Sequence, residues 1–186
     1  RRGLLRIGTD GAIDEWTNED PASPAPPTQI VQMALAADGM LWLAAPGGGV
    51  QQRDPANGRI LQDIVAGDAG GLDAVDIDAM VIAPTGEPWV AGHDGVARYD
   101  PVQRRFQPIP GLGRERVHAL AFDGPDLLWL QRLSGLERYQ RAPEGWKRID
   151  RVEARHGMPA VAAAGVFVDV RHRVWIPTSR GLYRWE

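Results

Sequence analysis

Short apolar stretches separated by polar turns run the length of the chain, and they recur in a fixed order. Runs at residues 30–35, 77–82, 117–122 and 163–168 are apolar at nearly every position, the pattern of a strand buried on both faces. A turn follows each run, with Asp38-Gly39, Thr85-Gly86, Asp123-Gly124 or Arg171-His172. The chain then enters Leu41-Trp42-Leu43, Pro88-Trp89-Val90, Leu128-Trp129-Leu130 or Val174-Trp175-Ile176. A second turn ends at a glycine that opens a third strand, where a positive φ is expected. A weaker fourth strand is predicted at 12–16, 59–64, 105–109 and 146–152. We denote the four A to D, with A innermost and D at the exposed edge. Segments this short, punctuated by Gly and Pro, leave no room for a long helix, so the predicted class is all-β.

The order is a tandem repeat. Gly3-Leu4-Leu5-Arg6-Ile7, Gly95-Val96-Ala97-Arg98-Tyr99, Gly135-Leu136-Glu137-Arg138-Tyr139 and Gly181-Leu182-Tyr183-Arg184-Trp185 share one pattern. Gly49-Val50-Gln51-Gln52-Arg53 is a degenerate copy without the aromatic. The five glycines are spaced 46, 46, 40 and 46 residues apart, and the last four lie 7, 6, 6 and 6 residues after a tryptophan. Four short antiparallel strands every 40 to 50 residues, repeated radially, make the blades of a β-propeller. Starting and ending in strand C, residues 1–186 hold about four blades, with repeats at 3–48, 49–94, 95–134 and 135–180 and a further start at 181–186. Propellers typically close with about four to eight blades, and any ring larger than four at ~45 residues per blade needs more residues than these. The chain therefore reads as a fragment of a larger ring, ahead of two copies assembling or four blades closing. An open arc would expose the apolar faces of its first and last blades. The tryptophans are expected to fill the seams between blades, each ring burying ~150–250 Å², and the strand-C arginines to cover a neighbouring aromatic.

Composition narrows the partners. The net charge of −3 comes from 21 basic and 24 acidic side chains with no basic block, which argues against nucleic acid or an anionic membrane surface. Cysteine is absent, so disulfides and thiolate chemistry are excluded. The longest apolar run, residues 159–168, is about half the ~20 residues of a membrane-spanning helix. Opening on Arg1-Arg2-Gly3 with no leader, the sequence reads as a segment of something longer.

The run from Val174 to Trp185, with Trp between branched residues, a turn, then Gly-Leu-x-Arg-aromatic, resembles the two-component regulator propeller repeat. The resemblance extends over nearly the whole chain and departs from the pattern at residues 49–53. It implies a seven-bladed propeller, often one of a tandem pair, in the sensor portion of bacterial histidine kinases, hybrid kinases and diguanylate cyclases. It further implies a periplasmic location, with an immunoglobulin-like linker, a membrane helix and a cytoplasmic output domain outside this segment. One copy, Asp38-Gly39-Met40-Leu41-Trp42, is also similar to the virginiamycin-lyase type of propeller.

With A innermost, the starts of the A strands, the B-to-C turns and the D-to-A loops share one rim, and loops on a rigid scaffold carry function. Asp78 and His118 occupy the second position of strand A, where the equivalents are Val31 and Ala164. Polar side chains on a buried strand either meet a partner or line the channel. His93, Arg132 and Arg180 stand in B-to-C turns. These five are the candidate ligand-binding residues. No catalytic set is evident: Ser134 and Ser179 lack a G-x-S-x-G context, and Gly47-Gly48-Gly49 has no lysine to make a phosphate loop. The histidines show no metal-ligand spacing, and Asp73, Asp76 and Asp78 fall short of a calcium site. No metal and no cofactor are therefore expected. The expected function is a non-enzymatic sensing or binding propeller for a small molecule such as a glycan fragment, with a homodimer as a further partner. A dimerisation scaffold without a ligand ranks second. A propeller lyase or glycan-cleaving enzyme using Asp78 and His118 ranks third, since fold alone does not choose.

Overall fold

The computed structural model describes residues 3–17, 30–45, 49–65, 67, 77–158 and 165–185. Sheet one pairs β1 (Gly3–Ile7) with β2 (Ile13–Thr17). Sheet two is β3 (Gln32–Leu35), β4 (Leu41–Ala45), β5 (Gly49–Arg53) and β6 (Ile60–Ile64). Sheet three is β7 (Ile77–Ile82), β8 (Pro88–Gly92), β9 (Gly95–Asp100) and β10 (Arg105–Pro108). Sheet four is β11 (Ala119–Phe122), β12 (Leu127–Arg132), β13 (Gly135–Ala142) and β14 (Gly145–Val152). Sheet five is β15 (Phe167–Val168), β16 (Val174–Thr178) and β17 (Gly181–Trp185). Every pairing is antiparallel. Among the described residues the helix is limited to one 3₁₀ turn, Ala154–His156. The innermost strands β3, β7, β11 and β15 are neighbours from sheet to sheet, so the sheets stand radially as about four blades of a β-propeller.

Alternation along strand B explains the core. Trp42 and Ala44 face sheet three, where they meet Ile77, Met80, Tyr99 and Phe106. Leu43, of opposite parity, packs with Leu4 and Trp16 of sheet one. Trp89 likewise joins the seam with sheet four and Trp129 the seam with sheet five. Their exposures of 3, 2 and 2% make them seam fillers, as the repeat predicted. Across from Trp89, Trp129 and Trp175 stand Arg98, Arg138 and Arg184. The Arg138 and Arg184 guanidinium carbons lie 5.3 and 5.7 Å from the Trp129 and Trp175 ring centres. The repeated glycine is required twice over at Gly95 and Gly135. Their φ angles are +90° and +144°, and a Cβ would come within 2.5 Å of the Gly113 carbonyl and 2.3 Å of the Val152 carbonyl.

One expectation needs correction. Strand A of sheet two, read as buried on both faces, exposes Met33 and Leu35. Both share the face of their partners Leu43 and Leu41, and among the described residues sheet one covers that face with β1 and β2 alone. The degenerate copy nevertheless builds a complete four-stranded sheet. Arg53 replaces the aromatic and is fully buried, bonding Gln51 Oε1 at 2.9 and 3.2 Å and the Gly58 carbonyl at 3.0 Å. The outer faces of sheets one and five carry exposed apolar side chains. Leu5, Ile7 and Ile13 share the outer face of sheet one, and Phe167 and Leu182 that of sheet five, where Trp175 is only half-buried. Residue 164, read as part of strand A, lies outside the described residues.

Candidate functional site

The inner rim brings two of the five candidate residues together. Pairing of β7 with β8 jumps from Ile77 opposite Gly92 to Ala79 opposite Ala91, so Asp78 is the extra residue of a bulge. A bulge re-aims its side chain, and here the carboxylate reaches the next blade. Arg116 grips it with a two-pronged bond, Nε to Oδ2 and Nη2 to Oδ1, each 2.8 Å. His118 Nδ1 stands 3.3 Å from Asp78 Oδ2. Its backbone N–H is tied to the Gln131 carbonyl, which fixes the start of the inner strand. Asp78 and His118 side chains are 20 and 19% exposed, enough for a ligand to reach an edge of each. With Nδ1 directed at the carboxylate, Nε2 faces away and makes no hydrogen bond to the described residues. The Asp78 carboxylate and the His118 ring thus stand side by side at the rim.

Arg116 has no signal in the sequence: it stands in the loop before β11, where no strand alternation assigns it a face.

Arg132, expected to contact a ligand from its turn, does something else. It is 3% exposed, and Nε bonds Glu137 Oε2 at 2.8 Å. Its other nitrogens donate to the carbonyls of Leu112, Glu115 and Arg116. The guanidinium is thus used up inside the protein, stapling the loop that presents Arg116. Glu137 also accepts from Tyr139 Oη at 2.8 Å and Arg148 Nη1 at 2.7 Å. Burial alone would raise the Glu137 carboxyl, but bonds from Arg132 and Tyr139 and the charges of Arg132 and Arg148 hold it below the usual range.

His93 and Arg180 are exposed in the B-to-C turns of sheets three and five, and neither touches the Asp78 cluster. Among the described residues no three His, Asp or Glu side chains converge as metal ligands. Asp73 and Asp76 lie outside them.

On the opposite rim a clasp joins sheets four and five. His172, at φ +62°, places Nδ1 2.5 Å from Oδ1 of the buried Asp123. The Asp123 bond, then its charge, raises the His172 pKa above the ordinary 6.5. A raised pKa contributes stability that is complete below 6.5 and is lost as pH rises through the folded value. Hydrogen exchange at the 169–172 turn is therefore expected to quicken as pH rises beyond that range, once corrected for intrinsic exchange. His172→Ala should abolish the extra pH dependence, and an unchanged profile in that variant would refute the clasp.

No protein-family model and no curated sequence matches the chain. Similarity appears at the level of structure. The extracellular domain of BT4673 from B. thetaiotaomicron, described as a hybrid two-component system, superposes with a TM-score of 0.74 at 16% identity, over 98% of this chain and 24% of that one. The corresponding domain of BT3049 gives 0.73 at 16% identity, over 100 and 26%. Virginiamycin B lyase from Staphylococcus aureus gives 0.61 at 15% identity, over 98 and 62%. The chain spans about a quarter of the length of the two extracellular domains it resembles, and the shared property is the propeller fold.

Proposed function

We propose that this propeller arc is a ligand-sensing module, an extracytoplasmic input domain of a bacterial signal-transduction receptor, rather than an enzyme. The observation that carries the reading is the inner-rim cluster of Asp78, Arg116 and His118, assembled across two blades of a fold shared with extracellular two-component domains. A ligand bridging blades at that edge would be felt by the seam between them. Its partner is a small polar molecule, and the output lies in segments beyond this chain.

Alkaline phosphatase fused after Glu186 in the native gene tests the location. Active phosphatase is expected, and an inactive but stable fusion would overturn it. In the full-length receptor, His118→Ala is expected to weaken the inducing response roughly threefold to tenfold, the cost of one hydrogen bond. Stability should change by less than ~1 kcal/mol. An undiminished response would remove the cluster from the sensing path.

A further inference from the structure

Opposite the rim that holds Asp78, a groove of about 770 Å³ runs from sheet two across sheet three to sheet four. Its lining includes Trp42, Gln52 and Gln62 of sheet two, Glu87, Arg98 and Tyr99 of sheet three, and Arg141 of sheet four. The size falls within the range of about 300–1,000 Å³ usual for small-molecule sites.

The groove opens where the repeat is degenerate. Sheets three, four and five place an arginine opposite the repeated tryptophan, and in sheet four it lies over Trp129. Opposite Trp42 the chain has Gln52 instead. A glutamine is shorter than an arginine and carries an acceptor as well as donors. Gln62 Nε2 donates to Gln52 Oε1 at 2.9 Å, and Tyr99 Oη donates to Gln62 Oε1. An amide–amide–phenol chain thus crosses the seam, with Gln52 Nε2 unbonded to any described residue at its end.

Charge along the groove is mixed: Asp38, Glu87 and Asp100 line it together with Arg98 and Arg141, and Asp38 and Asp100 accept from the N–H groups of Met40 and Val102 in their own turns. Glu87 accepts from Trp89 Nε1 at 3.1 Å and lies in the field of Arg98. Arg141 Nε is 3.7 Å from Asp126. An anion would have to compete with the three carboxylates, and a cation with Arg98 and Arg141. Alternating donors and acceptors, with both signs of charge already present, suit hydroxyl groups, each of which both donates and accepts. We propose that this seam groove, opened by Gln52 in place of the repeat's arginine, binds a neutral polyhydroxylated ligand of disaccharide to tetrasaccharide size. The site is separate from the inner-rim cluster, so its failure would leave the sensing reading standing.

The test follows the side-chain amide and indole NMR signals of the ¹⁵N-labelled chain. Neutral di- to tetrasaccharides of glucose, galactose, mannose and xylose form one arm, uronic acid oligomers a second and dipeptides a third. At least one neutral sugar is expected to move the Gln52, Gln62 and Trp42 signals together. Gln52→Arg, which restores the repeat's residue, is expected to weaken that binding by roughly tenfold or more while keeping the urea midpoint at or above that of the parent. Gln62→Ala should weaken it too. The proposal fails if no neutral sugar moves these signals, if only the uronates or dipeptides do, or if a folded Gln52→Arg binds as well as the parent.

Discussion

Trp89→Ala is expected to destabilise the arc by about 3–5 kcal/mol, the usual cost of emptying a large aromatic site in a core. Trp89 is 2% exposed and belongs to sheet three, yet its ring packs on sheet four. Phe122 meets it edge-on at 4.9 Å and Trp146 at 5.9 Å. Its Nε1–H is held by Glu87, so truncation also removes a partner from a carboxylate. The repeat supplies an internal control. Trp175 occupies the same position in sheet five, but its ring faces outward, half-buried beneath Arg173 and Arg184. Trp175→Ala should cost only about 1–2 kcal/mol, since cation–π contacts at exposed sites are weak. Urea unfolding followed by far-UV circular dichroism measures both, with the loss read as a fall in midpoint at constant slope. Equal losses would mean that the two tryptophans stabilise their own sheets rather than a seam.

That contrast marks what the sequence could and could not disclose. Strands B and C were legible because a tryptophan and a glycine recur at fixed intervals, and a repeated packing position must repeat its side chain. Exposure was less legible, because it depends on what stands next door. Met33 and Leu35 look like core residues and become surface because β1 and β2, the described strands of sheet one, do not reach them. At the rim, Asp78 and His118 stood out as polar residues on apolar strands, and the structure joins them. Arg132 was judged by its turn. Parity pointed elsewhere: it shares a face with Leu128 and Leu130, which are buried in the seam with sheet three. The groove had one sequence signal, Gln52 in an arginine's place.

Arg132→Ala is expected to cost about 3–5 kcal/mol at neutral pH, because it strands the partner of a buried ion pair. Glu137 is 1% exposed and would keep Tyr139 and the more exposed Arg148 while losing its buried cation. The carbonyls of Leu112, Glu115 and Arg116 would lose their donor, freeing the loop that aims Arg116 at Asp78. The sign of the pH dependence separates charge from packing. The Glu137 pKa is lowered from 4.5, so its contribution is present above that value and is lost as pH falls through the folded one. Parent and Arg132→Ala should therefore converge on acidification, whereas a gap independent of pH would assign the loss to packing. Arg132→Met combined with Glu137→Leu removes both charges together and should recover much of the stability, since well-packed apolar replacements of buried ion pairs are often neutral or better. Loop anchoring has no such substitute. Hydrogen exchange at residues 112–116 should stay fast in the double variant even where the urea midpoint returns, and recovery of both would show that the staple serves stability alone.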